Sequence, residues 1–132
     1  MRLGMAFAHP HIINIYNKVK YPYNINLLTQ QHALEMAKDP FEVDKWVRML
    51  LQERGRLMLA FSELPVCTGV YRSDANFFLA RMTDAQLIYD YLVGRGIIVR
   101  NRSRVELCAN CLRITVGTRS ENNELLSVLR QL

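Results

Sequence analysis

Apolar residues along this chain follow a helical period in some stretches and a two-residue period in others. Val43, Trp46, Val47, Leu50, Leu51, Leu57, Met58 and Phe61 fall at helical spacing, as one apolar helix stripe does. This spacing predicts a helix over 40–63. Asp39 is its N-cap candidate, Pro40 suits its first turn, Gly55 weakens its middle and Pro65 bars its continuation. Before it, residues 1–8 read as a short strand. A helix begins after Pro10 and breaks at Tyr21-Pro22, and a second helix covers 26–38. After it, Asn76–Met82 reads as a strand and Thr83–Gly94 as a helix. Thr83 and Gln86 are placed for a capping box, with Gly94 and Gly96 at the exit. Ile97–Asn101 and Leu112–Gly117 read as strands, the second with Ile114 and Val116 on one face and Arg113 and Thr115 on the other. Thr118 and Glu121 open a last amphipathic helix through Leu125, Leu126 and Leu129. Helices interleaved with three strands predict an α/β (α+β) fold, helices packed on one face of a small sheet.

Composition narrows the class. The 132 residues are half hydrophobic and 22% charged, one domain's worth of chain with enough apolar material for a core. No apolar run approaches the roughly 18 residues a membrane span needs, and the opening MRLGMAFAHP is too short an apolar stretch for a secretory signal. Three cysteines without framework spacing point to reduced thiols and a cytoplasmic protein. The net charge of +5 raises a nucleic-acid reading, but the basic residues run from Arg2 to Arg130 rather than along one helix. The densest group, Arg95, Arg100, Arg102 and Arg104, alternates with apolar and small residues and suits anionic small molecules equally well.

The chemistry centres on arginine. Arg100 and Arg113 lie 13 positions apart (113 minus 100), each on a β-rich run. A guanidinium on a rigid strand is a ready bidentate clamp for carboxylate or phosphate, and two that converge would hold a small dianion. The chain offers no nucleophile, base or metal cluster to go with them. Cys108 and Cys111 form a lone C-x-x-C, short of the four ligands of a zinc site, and read as small core cysteines. His9 and His11 flank Pro10 and read as solvated helix-entry residues. Trp46 reads as core or interface. Asn24 and Asn26 could contact a ligand or satisfy turn geometry. Arg2 on its own is a surface arginine.

Larger motifs add to this reading. R-L-G-M-A-F-A from Arg2, Y-P-Y-N-I-N-L-L-T-Q-Q-H-A-L, G-I-I-V-R ending at Arg100, and C-L-R-I-T-V-G-T around Arg113, followed by a helix opening R-x-E-N, occur in this order. Together they resemble the C-terminal part of the histidinol-phosphate aminotransferases, fold-type I enzymes that use pyridoxal 5′-phosphate (PLP). The resemblance implies that residues 1–38 are the tail of a large PLP-binding domain. It makes residues 39–132 the C-terminal small domain, with helix 40–63 linking the two. Arg2 would contact the PLP phosphate. Arg113 would bind the α-carboxylate of glutamate and, in the other half-reaction, the phosphate of histidinol phosphate, with Arg100 assisting. The implied reaction moves an amino group between L-histidinol phosphate and 2-oxoglutarate in histidine biosynthesis. The implied assembly is a homodimer, without metal, nucleic acid or membrane. The Schiff-base lysine of the family belongs upstream of Arg2, and Lys18, Lys20, Lys38 and Lys45 do not sit in its context. The chain is therefore expected to be a fragment that is inactive alone and holds no covalent PLP. Competing readings are threonine-phosphate decarboxylase, an aromatic aminotransferase, a non-catalytic anion-binding or regulatory domain, and a basic nucleic-acid binder.

Overall fold

A computed structural model describes residues 3–38 and 40–132. The chain divides into two compact units, Met1–Lys45 and Trp46–Leu132. In the first, α1 spans Pro10–Val19 and α2 spans Leu27–Ala37. His9 caps α1, its Nδ1 accepting from the His11 amide at 3.3 Å. Asn26 caps α2, its Oδ1 accepting from the Thr29 amide at 2.8 Å, which gives Asn26 the turn role among its two expected ones. No residue of either helix is buried. The strand expected over residues 1–8 is a correction: residues 3–9 lie in no strand, because a strand exists only through a hydrogen-bonded neighbour and none pairs with this segment. Asp39, the expected cap, lies outside the described residues.

The helix α3 runs Pro40–Ser62, close to the predicted span, and Gly55 does not interrupt it. Its apolar stripe divides. Leu57 and Phe61 are fully buried, whereas Trp46 remains 49% exposed, so the core reading of Trp46 fails within this chain. In the second unit four antiparallel strands form one sheet in the order β1-β2-β4-β3, with β1 Cys67–Val70, β2 Phe77–Met82, β3 Arg100–Asn101 and β4 Cys111–Thr115. Helices α4 (Ala85–Val93) and α5 (Arg119–Leu129) complete it.

Alternation decides the two faces of the sheet. Phe78, Ala80 and Met82 of β2, and Leu112 and Ile114 of β4 with Val116 just beyond, point into one core. Leu57 and Phe61, Ile88 and Leu92, and Leu125, Leu126 and Leu129 enter that core from α3, α4 and α5. Phe61 meets Phe78 edge to face, ring centroids 5.2 Å apart. The result is the predicted mixed helix-and-sheet layer, with one strand more than expected. That strand, β1, pairs with β2 through a register break between Cys67 and Gly69, which spoils the period-two pattern.

Two local details differ from expectation and a third matches it. Asp84, not Thr83, caps α4, its carboxylate accepting from the amides of Gln86 and Leu87 at 3.0 Å each. The strand expected over Ile97–Asn101 shrinks to Arg100–Asn101. The reason lies in the exit of α4, where Gly96 at φ +77° donates to Val93 O and Ile97 donates to Leu92 O, a Schellman pattern that keeps Ile97 in the helix terminus. The capping box of α5 forms as predicted: the Thr118 hydroxyl accepts from the Glu121 amide, and the Glu121 carboxylate accepts from the Thr118 amide at 2.7 Å. Donation from the Thr118 hydroxyl, with help from the Thr118 amide, holds the Glu121 carboxyl below its usual range. Gly117 precedes the box, and a Cβ there would lie 2.8 Å from Glu121 Oε2.

Candidate functional site

The face of the sheet turned away from the core carries the arginines. In the ladder Arg100 of β3 stands directly opposite Arg113 of β4, and Arg113 stands opposite Leu79 of β2 on its other side. Directly opposed residues share a face with side chains about 5 Å apart, and like charges so placed destabilise the pair. An anion between the two would reverse the sign of that interaction. Arg113 is half-buried and Arg100 exposed. The guanidinium carbon of Arg113 lies 4.9 Å from the centroid of the Phe77 ring, within cation–π range. Phe77 belongs to the same face, two positions along β2 from Leu79. The Nε of Arg113 is buried and has no hydrogen-bond partner. A buried charge-bearing donor left unpaired is costly, and ligand sites are one place where proteins keep such donors.

The rigidity of Arg113 comes from its neighbours. Leu112 and Ile114 are buried in the core on either side of it, so its backbone cannot shift without opening the domain. The C-terminal end of β4 is tied down by Asn122, only 2% exposed. Its Oδ1 accepts from the Gly117 amide at 3.0 Å, and its Nδ2 donates to Gly117 O at 2.9 Å and to Glu53 Oε2 at 3.0 Å. Glu53 also pairs with Arg56 at 2.7 Å and Arg119 at 3.2 Å. The Arg56 hydrogen bond, with help from Asn122, holds the Glu53 carboxyl below its usual range against the opposing effect of burial.

Arg100 also lines a concavity of about 650 Å³ at the sheet edge, with Gln86, Tyr89, Arg102, Arg104 and Asn110 among its walls. Arg113 is not part of that lining. The structure thus brings Arg100 and Arg113 together, while Arg2 lies outside the described residues. Cys111 is buried at the start of β4 and Cys108 half-buried in the preceding turn, as small packing residues. All three cysteines are free, and burial pushes the Cys67 thiol up. Phe77 escaped the sequence reading, although strand alternation and the short distance to Leu79 place it on the face of Arg113. Among the described residues no helix is long and apolar enough to cross a membrane.

These features define an α+β domain that carries two opposed arginines on the open face of its sheet. The sequence pattern described as aminotransferase class I and II matches residues 1–129, and the chain belongs to that family. It is 59% identical over 131 residues to a histidinol-phosphate aminotransferase of Bacteroides fragilis, a match covering 99% of this chain and 38% of that relative. The chain therefore spans well under half the length of the curated relative it matches. Its fold superposes on that of the histidinol-phosphate aminotransferase from Clostridium acetobutylicum with a TM-score of 0.81 at 22% identity, covering 92% of this chain and 37% of that one. It also superposes on L-threonine-O-3-phosphate decarboxylase from Porphyromonas gingivalis with a TM-score of 0.71 at 20% identity, covering 94% and 39%. The fold is that of a part of a fold-type I aminotransferase, a scaffold shared by a transferase and a decarboxylase.

Proposed function

We propose that this chain is the C-terminal part of a PLP-dependent aminotransferase that exchanges an amino group between L-histidinol phosphate and 2-oxoglutarate in histidine biosynthesis. One observation carries the site: Arg113, with its buried unpaired Nε, directly opposite Arg100 on the open sheet face. A guanidinium fork accepts a carboxylate or a phosphate with the same geometry, so one residue can anchor glutamate and histidinol phosphate in turn. Arg113 takes the leading role because Phe77 and the core-facing neighbours fix it. Arg100, exposed on a two-residue strand, assists with the phosphate. The substrate assignment leans on the 59% identity to the Bacteroides fragilis enzyme, since the fold alone is shared with a decarboxylase.

The fit of these residues to the cofactor is partial. PLP supplies an electron sink when bound, and an enzyme adds a lysine, orientation and electrostatics to it. The unit Trp46–Leu132, which carries both arginines of the sheet face, contains no lysine. Its residues fit the anionic ends of the substrates, and no step through the cofactor is assigned to them. Arg2 is proposed as the contact to the cofactor phosphate. Residues 1–38 are assigned to the tail of the PLP-binding domain and 39–132 to the small domain, with helix 40–63 linking them. A homodimer accords with the apolar residues left open on this chain, Phe7, Tyr21, Tyr23 and Phe41 among them. A cytoplasmic location accords with three free thiols.

Two measurements test this reading. Adding PLP to the 132-residue chain, reducing with borohydride and mapping peptides should give no lysine-specific adduct. A stoichiometric aldimine on one lysine, bleached by an amino donor, would mean that the chain is a complete PLP protein. Calorimetric titration with histidinol phosphate should show binding that Arg113→Met weakens by roughly tenfold or more, the worth of one charge-assisted pair. Unchanged affinity in that variant would remove Arg113 from the site.

A further inference from the structure

The concavity at the edge of β3 has features that the paired arginines of the sheet face do not explain. It holds three arginines within five residues, Arg100, Arg102 and Arg104. Among the described residues none of the three has a carboxylate at ion-pair distance. Three of the neutral side chains around them, Gln86, Asn101 and Ser103, are already engaged. Asn101 Nδ2 donates to Gln86 Oε1 at 3.0 Å, and Asn101 Oδ1 accepts from the amide and hydroxyl of Ser103 at 3.0 and 2.7 Å. Asp90 of α4 is held by Gln86 Nε2 at 3.0 Å. The guanidinium groups are thus the charged donors of this hollow, and no carboxylate pairs with them. The loop bearing them is fixed by its own backbone: Arg102 N donates to Cys111 O at 2.8 Å, Val105 N to Arg102 O at 2.9 Å and Cys108 N to Val105 O at 3.0 Å. Preformed donors on a fixed loop lower the cost of binding.

We propose that this edge is a second anion site, centred on Arg102 and Arg104, which takes the phosphoryl dianion of a small phosphate monoester. Like charges lining one hollow repel, and a dianion among them turns the repulsion into charge-assisted hydrogen bonding. Tyr89 and Ile98 line the same hollow and offer a surface for a ring on the organic part of the ester. A hollow of about 650 Å³ suits a small ligand. A nucleic acid would need a basic track, and Glu106 interrupts the run two positions after Arg104 in the same loop. The site is independent of the role assigned to Arg113. Arg100 stands between the two and belongs to both.

Arginine Nε–Hε signals in ¹H–¹⁵N spectra of the 132-residue chain, titrated first with inorganic phosphate and then with phenyl phosphate, test this. The signals of Arg102 and Arg104 should move together and saturate, with phenyl phosphate about threefold tighter or more, as one aromatic contact provides. Arg113→Met should leave that response in place, whereas Arg102→Gln with Arg104→Gln should weaken it about tenfold or more. If the double variant loses its dispersed spectrum, Arg102→Lys with Arg104→Lys gives the reading. It keeps the charge but loses the fork, and should weaken binding by a smaller factor. Three results overturn the proposal: a response abolished by Arg113→Met and untouched by the double variants, an equal response to chloride, or binding confined to a single-stranded RNA probe with steep salt dependence.

Discussion

Replacing Asn122 by alanine perturbs the joint between the candidate site and the core. Three hydrogen bonds disappear, two with Gly117 and one with Glu53. The two neutral bonds are worth about 1 kcal/mol each, and the bond to the ionised Glu53 about 1.5–3 kcal/mol. Water can reach Glu53, whose side chain is 12% exposed, so part of that last contribution is recovered. The expected loss is about 3 kcal/mol, read as a lower urea midpoint with an unchanged slope. The pH dependence adds a signature. Glu53 has a folded-state pKa below its unfolded value, so its contribution is present above the unfolded pKa and fades as pH falls through the folded one. The deficit of the variant relative to the parent should therefore shrink in acid, below the ordinary carboxylate value of 4.5. Asn122→Asp should be worse than alanine at neutral pH, because it sets a second carboxylate against Glu53, and should recover more on acidification. A loss under 1 kcal/mol for the alanine variant, or one constant with pH, would falsify this account of the joint.

Two further variants probe the helix cap and the sheet face. Asp84→Ala should lower stability by about 1 kcal/mol and Thr83→Ala by a few tenths, because the Asp84 carboxylate receives both α4 amides; thermal melts of the pair decide it. Without ligand, Arg113→Met should leave the domain as stable as the parent or more so, since it relieves the like-charge pair with Arg100 and removes an unpaired buried donor. A clear drop in its urea midpoint would show that the packing of Arg113 on Phe77 outweighs both effects.

The parts legible in the sequence are those whose signal is local. α3 and α5 announce themselves through apolar period and flanking residues, β2 through a short apolar run and β4 through alternation. The facing of Arg113 came directly from that alternation. What escaped depends on partners the sequence does not name. Residues 3–9 have strand composition but no strand beside them. β1 hides behind its register break at Cys67–Gly69, and β3 gives up Ile97 to the exit of α4. Trp46 shares a stripe with Leu57 and Phe61, yet a stripe does not say what covers it. The pairing of Arg100 with Arg113 is of the same kind. Both runs were visible as strands, but only the ladder sets one arginine opposite the other.

The ladder also gives the two arginines unequal mechanical standing. β4 is a central strand, bonded on both sides and flanked by the buried Leu112 and Ile114, so loosening Arg113 requires opening the whole domain. β3 is an edge strand of two residues, bonded on one side only, and the exposed side chain of Arg100 can adjust without opening the core. One fixed guanidinium and one adjustable one suit the proposed site, which would take a planar carboxylate and a tetrahedral phosphate in turn. The fixed member sets position, and the mobile member absorbs the difference in shape. A pair of equally rigid arginines would favour one anion over the other, while a pair of equally mobile ones would lose the preorganisation that makes a guanidinium fork effective. The asymmetry arises from alternation on a single strand, which commits one face of β4 to the core and leaves the other free to hold charge.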